Sequence, residues 1–429
     1  MQTPETRERV FLVGLLRRPL PRSEFLDHLQ ELEALVHSAG GEVVGVFWQE
    51  RSAPDVATFI GRGKVEELKP LIHHSGVSAV VFDDELSPVQ VRNLERAWGV
   101  KVLDRPGVIL QIFAMQARTQ EAQLQVELAQ LQYLLPRLSR LWTHLSRQAG
   151  GIGTRGPGET QLETDRRLIR RRIQVLQRKL QQIAQQRAQR RKGREALPRF
   201  ALVGYTNAGK STLMRALTGA PVLVADRLFA TLDTTVRRFR LPNGQIALLS
   251  DTVGFLRKLP PQLIAAFHST LAEVQEADIL IHVVDASHPH FREHIRVVDE
   301  TLRTLGAHDK PTVLVFNKVD RLIHDRERLR ELEVEFSSAV FISAERGINL
   351  RRLLLALQQA YEGQTELMTF LIPYTEARTL YGLRTAGELV RQEALEQGML
   401  LQIRCPTAVG ERLRQQYALY LHTVIPHHA

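Results

Sequence analysis

The sequence predicts an α/β chain of 429 residues. It is built on a doubly wound sheet, with a small α/β domain and an antiparallel helical hairpin before it and a small α+β module after it. Three observations predict this. The apolar run Phe200-Ala-Leu-Val203 ends in a glycine-spaced phosphate-binding loop, further apolar runs alternate with helical stretches, and two leucine–isoleucine seams flank a glycine-rich loop. Strands that alternate with helices are what a parallel sheet requires, and ligands bind at the carboxyl ends of its strands.

Residues 1–115 read as the first α/β domain. Its strand candidates are Val10–Leu16, Glu42–Trp48, Ser78–Phe82 and Val100–Leu103. Helices fit Ser23–His37, Gly63–His73 and Ser87–Trp98, the last with Ser87 as N-cap and Pro88 at the first helical position, where its missing N–H does no harm. Gly61-Arg-Gly-Lys64 is too short for a phosphate motif and reads as a turn before a helix.

Residues 116–197 read as the hairpin. Leu124, Leu128, Leu131, Leu135, Leu138 and Leu141 follow steps of three and four, and Ile169, Ile173, Leu176, Leu180 and Ile183 repeat the rhythm. That spacing is a coiled-coil seam. Gly150-Gly-Ile-Gly-Thr-Arg-Gly-Pro-Gly-Glu159 between them is expected to be non-helical, with Thr160 and Glu163 as a capping box restarting the helix. Pro136 is expected to kink the first helix. A hairpin satisfies its own seam, so a monomer is expected.

This segment also carries the charge. Between Gln116 and Pro198 there are seventeen Lys/Arg and six Asp/Glu, whereas the whole chain has 57 against 47. The remainder is therefore close to neutral. Acids are scarce beside Arg166, Arg167, Arg170, Arg171, Arg172, Arg178, Arg187, Arg190 and Arg191, so contact with a phosphate backbone is favoured over a merely solvated face. Glycines around Arg155 would let the backbone approach an RNA surface closely.

Residues 198–363 carry the chemistry. Gly204-Tyr205-Thr206-Asn207-Ala208-Gly209-Lys210-Ser211 wraps phosphates with inward N–H groups at a helix N-terminus. Lys210 reaches the β and γ phosphates and the Ser211 hydroxyl ligates Mg²⁺. Downstream come Asp251-Thr252-Val253-Gly254, Asn317-Lys318-Val319-Asp320 and Ser343-Ala344-Glu345, each after a strand-like run. Asp251 is placed to hold Mg²⁺ and the Gly254 N–H to sense the γ-phosphate. Asp320, with Asn317, accepts from guanine N1–H and the N2 amine, a donor pair that adenine lacks, so ATP would leave the acceptor unpaired. Four such elements in order make this a P-loop GTPase domain that binds GTP and GDP. A glutamine often follows Asp-x-x-Gly to orient the attacking water; here Phe255 stands there, and slow unassisted hydrolysis is expected.

Residues 364–429 suggest strand Leu367–Ile372, helix Glu376–Gln397, strand Met399–Ile403 and helix Ala408–Tyr417. His427 and His428 near the end are expected to lie in an unstructured tail. The single cysteine, Cys405, excludes a disulfide framework and a multi-cysteine zinc site. The first apolar run is broken by Gly14 and too short for a membrane span or signal peptide. A soluble, cytoplasmic protein without stable membrane insertion is expected.

Gly151-Ile-Gly-Thr-Arg-Gly-Pro-Gly-Glu-Thr-Gln-Leu-Glu-Thr-Asp-Arg-Arg167 resembles the signature of the HflX GTPases. So do Phe59-Ile-Gly-Arg-Gly-Lys-Val-Glu-Glu-Leu68, Asp104-Arg-Pro-Gly107 and Phe229-Ala230-Thr231-Leu232-Asp233. The resemblance implies a ribosome-associated GTPase whose N-terminal and helical parts bind the large subunit and its RNA. It implies a hairpin loop near the peptidyl-transferase region and splitting of stalled ribosomes in the GTP form. It also implies that Thr231 is the switch threonine joining Ser211 on Mg²⁺, although Thr234 stands where the family commonly has proline. Two other readings stay open: a nucleotide-dependent RNA-remodelling enzyme with an N-terminal ATP site, and a signalling GTPase that recruits a protein partner through the hairpin.

Overall fold

The structure, a computed structural model, describes residues 7–138, 157–191, 197–219, 228–229, 235–259 and 273–421. The first domain holds strands β1 (Arg9–Leu16), β2 (Glu42–Glu50), β3 (Ala79–Phe82) and β4 (Lys101–Asp104) in the order β2-β1-β3-β4, all parallel. Helices α1 (Arg22–Ser38), α2 (Arg62–His74) and α3 (Pro88–Trp98) connect them. The expected Ser87 cap is present, as a full capping box with Gln90.

One helix here was not expected. The chain enters α4 (Arg105–Gln116) directly from β4, with the Asp104 carboxylate accepting from the Gly107 N–H at 3.0 Å. Its sequence, Val-Ile-Leu-Gln-Ile-Phe, buries nearly every side chain. A helix covered on most sides shows no polar stripe, so periodicity does not reveal it.

The hairpin pairs α5 (Gln120–Leu138) with α6 (Pro157–Arg191). Leu128 and Leu176 are buried and Leu124, Leu131, Ile169, Ile173, Leu180 and Ile183 half-buried, so the seam falls where the spacing puts it. The opposite side of α5 sends Ala122, Val126 and Ala129 into the core beneath α4. Two expectations need correction. Pro157, Gly158 and Glu159 are helical, because proline is tolerated in a first turn. Thr160 and Glu163 consequently lie inside α6 rather than at its cap. Helix α5 runs through Pro136 to Leu138, while Leu141 and the loop residues 150–156 lie outside the described residues.

The central sheet has the order β10-β9-β8-β5-β7-β6, from β5 (Arg199–Gly204), β6 (Thr235–Arg240), β7 (Ile246–Asp251), β8 (Ile279–Asp285), β9 (Thr312–Asn317) and β10 (Val340–Phe341). All neighbours are parallel except β6, which is antiparallel to β7. Helices α7 (Lys210–Thr218), α8 (Phe291–Thr304), α9 (Arg326–Glu335) and α10 (Leu350–Glu362) complete the domain. Phe200, Leu202, Leu249, Ile281 and Val315 bury completely or nearly so within it.

The last module is an antiparallel sheet, β11-β13-β12, with β11 (Thr365–Ile372), β12 (Glu388–Leu395) and β13 (Gly398–Pro406), plus helices α11 (Ala377–Ala386) and α12 (Thr407–Gln416). The single helix expected over Glu376–Gln397 is therefore wrong. It ends at Ala386, and Glu388–Leu395 pairs with β13. Gly387 marks the change: a Cβ there would lie 2.6 Å from the Arg404 carbonyl oxygen, an approach only glycine permits. No helix among the described residues is long and apolar enough to cross a membrane.

Candidate functional site

The phosphate-binding loop leaves β5 at Gly204 and enters α7 at Lys210. Gly204 has φ +150°, and a Cβ on it would sit 2.2 Å from the Val283 carbonyl oxygen. Gly209 has φ +92°, and its Cβ would meet Asn317 Nδ2 at 2.3 Å. Both glycines are thus required by backbone conformation and by contact. Between them, Tyr205, Thr206 and Ala208 are buried and Asn207 is exposed.

Lys210 is buried, and its ammonium donates to the Gly204 and Tyr205 carbonyl oxygens at 3.0 and 2.7 Å. Burial pushes its pKa down to about 8, against the pull of Asp251. Two carbonyls are weak partners for a buried cation. A phosphate tail would serve it far better, so the loop fits an anion.

Ser211 Oγ donates to Asp251 Oδ2 at 2.6 Å, and Asp251 is fully buried at the end of β7. This pair offers oxygen ligands only, the donor set that suits Mg²⁺. Thr252 Oγ1 donates to the Leu202 carbonyl at 2.6 Å, anchoring the segment to β5. Val253 is buried. Gly254 lies against the loop, where a Cβ would stand 2.9 Å from Thr206 Cα and 3.0 Å from Lys210 Nζ. The next residue is stitched to the loop on both sides: Phe255 N–H donates to the Gly204 carbonyl at 3.1 Å and its own carbonyl accepts from Thr206 N–H at 2.8 Å. The Phe255 ring is buried in the core shared with the first domain.

The second half of the site gathers at the ends of β9 and β10. Asn317 Nδ2 donates to the Ala208 carbonyl at 2.9 Å, and its Oδ1 accepts from Ala344 N–H at 2.9 Å. One amide therefore ties the phosphate loop to the Ser343–Ala344 turn. Lys318 adopts φ +63° and donates to the Asn207 carbonyl at 2.7 Å and to Asp285 Oδ2 at 2.6 Å. Val319 N–H donates to the Ile342 carbonyl at 3.2 Å. The Asp320 carboxylate is largely enclosed, 3.7 Å from Arg346 Nε, and Glu345 is exposed. Phe229 is buried edge-on against Phe113, with centroids 4.7 Å apart. Ala230, Thr231, Leu232 and Asp233 lie outside the described residues.

Sequence reasoning missed the polar contacts that join this site to the first domain. The Tyr205 hydroxyl donates to Glu31 Oε2 at 2.7 Å and accepts from Arg257 N–H at 3.2 Å, while its ring stacks on His294 at 3.8 Å. Arg257 lies 3.0 Å from Glu31. Lys258, at φ +54°, reaches Asp83 and Asp84 at 2.5 and 2.9 Å. Beneath them Arg105 is fully buried and paired with Glu31 and with Asp83. The acidic run Asp83-Asp84-Glu85 at the end of β3 was the one signal in the sequence.

Three family models match the chain. One described as GTP-binding GTPase N-terminal covers residues 26–114, one described as GTP-binding GTPase middle region covers 116–194, and one described as 50S ribosome-binding GTPase covers 199–318. The chain is 45% identical over 411 residues to a protein named GTPase HflX from Caldanaerobacter subterraneus subsp. tengcongensis, covering 95% of this chain and 93% of that one. It is 45% identical over 397 residues to GTPase HflX of Escherichia coli (strain K12), covering 91% and 92%. A crystal structure of a GTP-binding protein from the archaeon Sulfolobus solfataricus in complex with GDP matches 82% of this chain and 98% of its own, at 26% identity and a TM-score of 0.42.

Proposed function

The chain belongs to the HflX family of GTPases, and on that premise we propose that it binds the large ribosomal subunit and, in its GTP form, splits stalled ribosomes in the cytoplasm. GTP binding and hydrolysis come with the family and its GTPase domain.

The observation that carries the ribosomal reading is the outer face of α6. Arg167, Arg170, Arg171, Arg178 and Lys179 are exposed along it. Among the described residues, Arg172 is engaged across the hairpin, bidentate to Glu127 at 2.6 and 2.8 Å. A row of exposed cations on a helix that already has its coiled-coil partner suits a phosphate backbone. We assign residues 1–115 and 116–197 to ribosome contact, with the loop at 150–156 reaching ribosomal RNA. Residues 198–363 handle the nucleotide, and 364–429 form the last α+β module.

At the nucleotide, Gly204–Ser211 cradle the phosphates, Asn317 and Asp320 read guanine, and Lys318 and Ser343–Glu345 frame the base. Phe229 and Ala230–Asp233 form the switch that Thr231 closes. Ser211, Asp251 and Thr231 would hold Mg²⁺, which when bound neutralises charge on the phosphates. Lys210 and the Gly254 N–H stabilise charge that builds on the γ-phosphate, so catalysis rests on positioned donors rather than a base.

Sucrose-gradient sedimentation tests the proposal. Intact ribosomes mixed with the protein and a non-hydrolysable GTP analogue should convert to subunits, with the protein on the large one, and should stay intact with GDP. Neutralising Arg167, Arg170, Arg171 and Arg178 should abolish binding and remove its steep salt dependence. Intact ribosomes without bound protein in both nucleotide states would refute the reading.

A further inference from the structure

We propose a second metal site, for a Zn²⁺-like transition-metal ion, between the first domain and the GTPase domain, formed by Glu24 and His28 of α1 and Glu293 of α8. The three side chains place one ligand atom each within 4.8 Å of one another. This site is separate from the Ser211–Asp251 pair and does not depend on the ribosomal reading.

The geometry is the first argument. Glu24 and His28 are four residues apart on one helix, which puts both on the same face, and Glu293 approaches from the first turn of the opposing helix. His28 Nε2 lies 3.5 Å from Glu293 Oε1 and 3.9 Å from Glu24 Oε1. Around a tetrahedral Zn²⁺ with bonds of about 2.1 Å, neighbouring ligand atoms stand about 3.4 Å apart. Octahedral Mg²⁺ would demand about 2.9 Å between adjacent ligands. The 3.5 Å separation is close to the tetrahedral value, and the wider ones, up to 4.8 Å, would have to draw in as the ion binds, with a fourth position left for water.

Hydrogen bonding gives an independent argument. The His28 side chain is 8% exposed, and neither of its ring nitrogens has a hydrogen-bond partner among the described residues. Glu293 Oε2 is likewise buried without one. Buried polar atoms are nearly always paired, so this concentration of exceptions at one point calls for a ligand.

Charge agrees. Arg257 is the neighbouring cation, with Nη1 3.6 Å from Glu293 Oε1. The cluster itself carries two carboxylates, Glu24 and Glu293, and a divalent cation would balance their charge. Because α1 and α8 belong to different domains, the ion would staple the first domain to the GTPase domain, beside the segment that follows Asp-x-x-Gly.

Isothermal titration of the 429-residue chain with Zn²⁺, in excess Mg²⁺ and GDP, tests this. One ion per chain should bind, and Glu24→Gln and His28→Gln should each weaken that event tenfold or more, since changes merely outside the ligand shell lower affinity about 10–100-fold. Glu24 is partly exposed, so its variant keeps the test meaningful if His28→Gln does not fold. Absence of stoichiometric uptake overturns the proposal. So does uptake of equal strength in the parent and the Glu24→Gln chain, which would place the ion elsewhere, for instance on His427 and His428.

Discussion

Lys210→Ala is expected to lower kcat for GTP hydrolysis by about 10²–10³-fold, the usual effect of removing one positioned donor to developing charge. This ammonium rests on two backbone carbonyls, and burial holds its pKa at about 8 rather than 10.5. A shift of that size corresponds to about 3 kcal/mol against the charged form. Stability therefore rises with pH through the window from about 8 to 10.5, where the unfolded chain keeps a proton that the folded one releases. The alanine variant has no such group to bury. It should melt no lower than the parent while losing activity, and should bind GDP better than GTP because the γ-phosphate contact is gone. Loss of activity accompanied by unfolding would contradict this account of Lys210.

Arg105→Met is expected to destabilise the protein by about 3–5 kcal/mol, measured by denaturant unfolding, because it strands buried carboxylates. Arg105 is fully buried against Glu31 and Asp83, and those acids also hold Tyr205, Arg257 and Lys258 of the GTPase domain. Burial already pushes Glu31 up to about 7, with Arg105 pulling the other way. The folded state therefore takes up a proton between about pH 4.5 and 7, and ionising Glu31 costs stability as pH rises through that window. Without Arg105 the window extends upward. The loss should be larger at pH 8 than at pH 5.5, and adding Glu31→Gln should recover part of it. A change below about 1 kcal/mol at pH 8 would show that the network is not holding the two domains.

The candidate nucleotide site was legible in the sequence because each of its parts is local. Gly204 to Ser211, Asp251 to Gly254 and Asn317 to Asp320 are contiguous runs at strand ends, and the loop conformations they need restrict residue type. The seam of α6 was legible for a similar reason, since Ile169 to Ile183 obey one helical period. What was missed is non-local. Tyr205 meets Glu31 across 174 positions, and no spacing rule connects them. Helix α4 hides its period by being buried on most sides. Strand β12 carries Glu388, Arg391, Gln392 and Glu393, residues at home in an exposed helix, and only pairing with β13 makes it a strand. There tertiary context overrides propensity.

Phe255 is the residue on which the proposed dependence of GTP hydrolysis on a larger assembly turns. Its ring is buried in the interdomain core and its backbone is bonded to the phosphate loop, so the position that often supplies a water-orienting amide supplies none. Single-turnover GTP hydrolysis, with and without purified large ribosomal subunits, tests this most directly. Acceleration on the order of 10²-fold or more is expected when the subunit completes the site. Equal rates in the two reactions would contradict it.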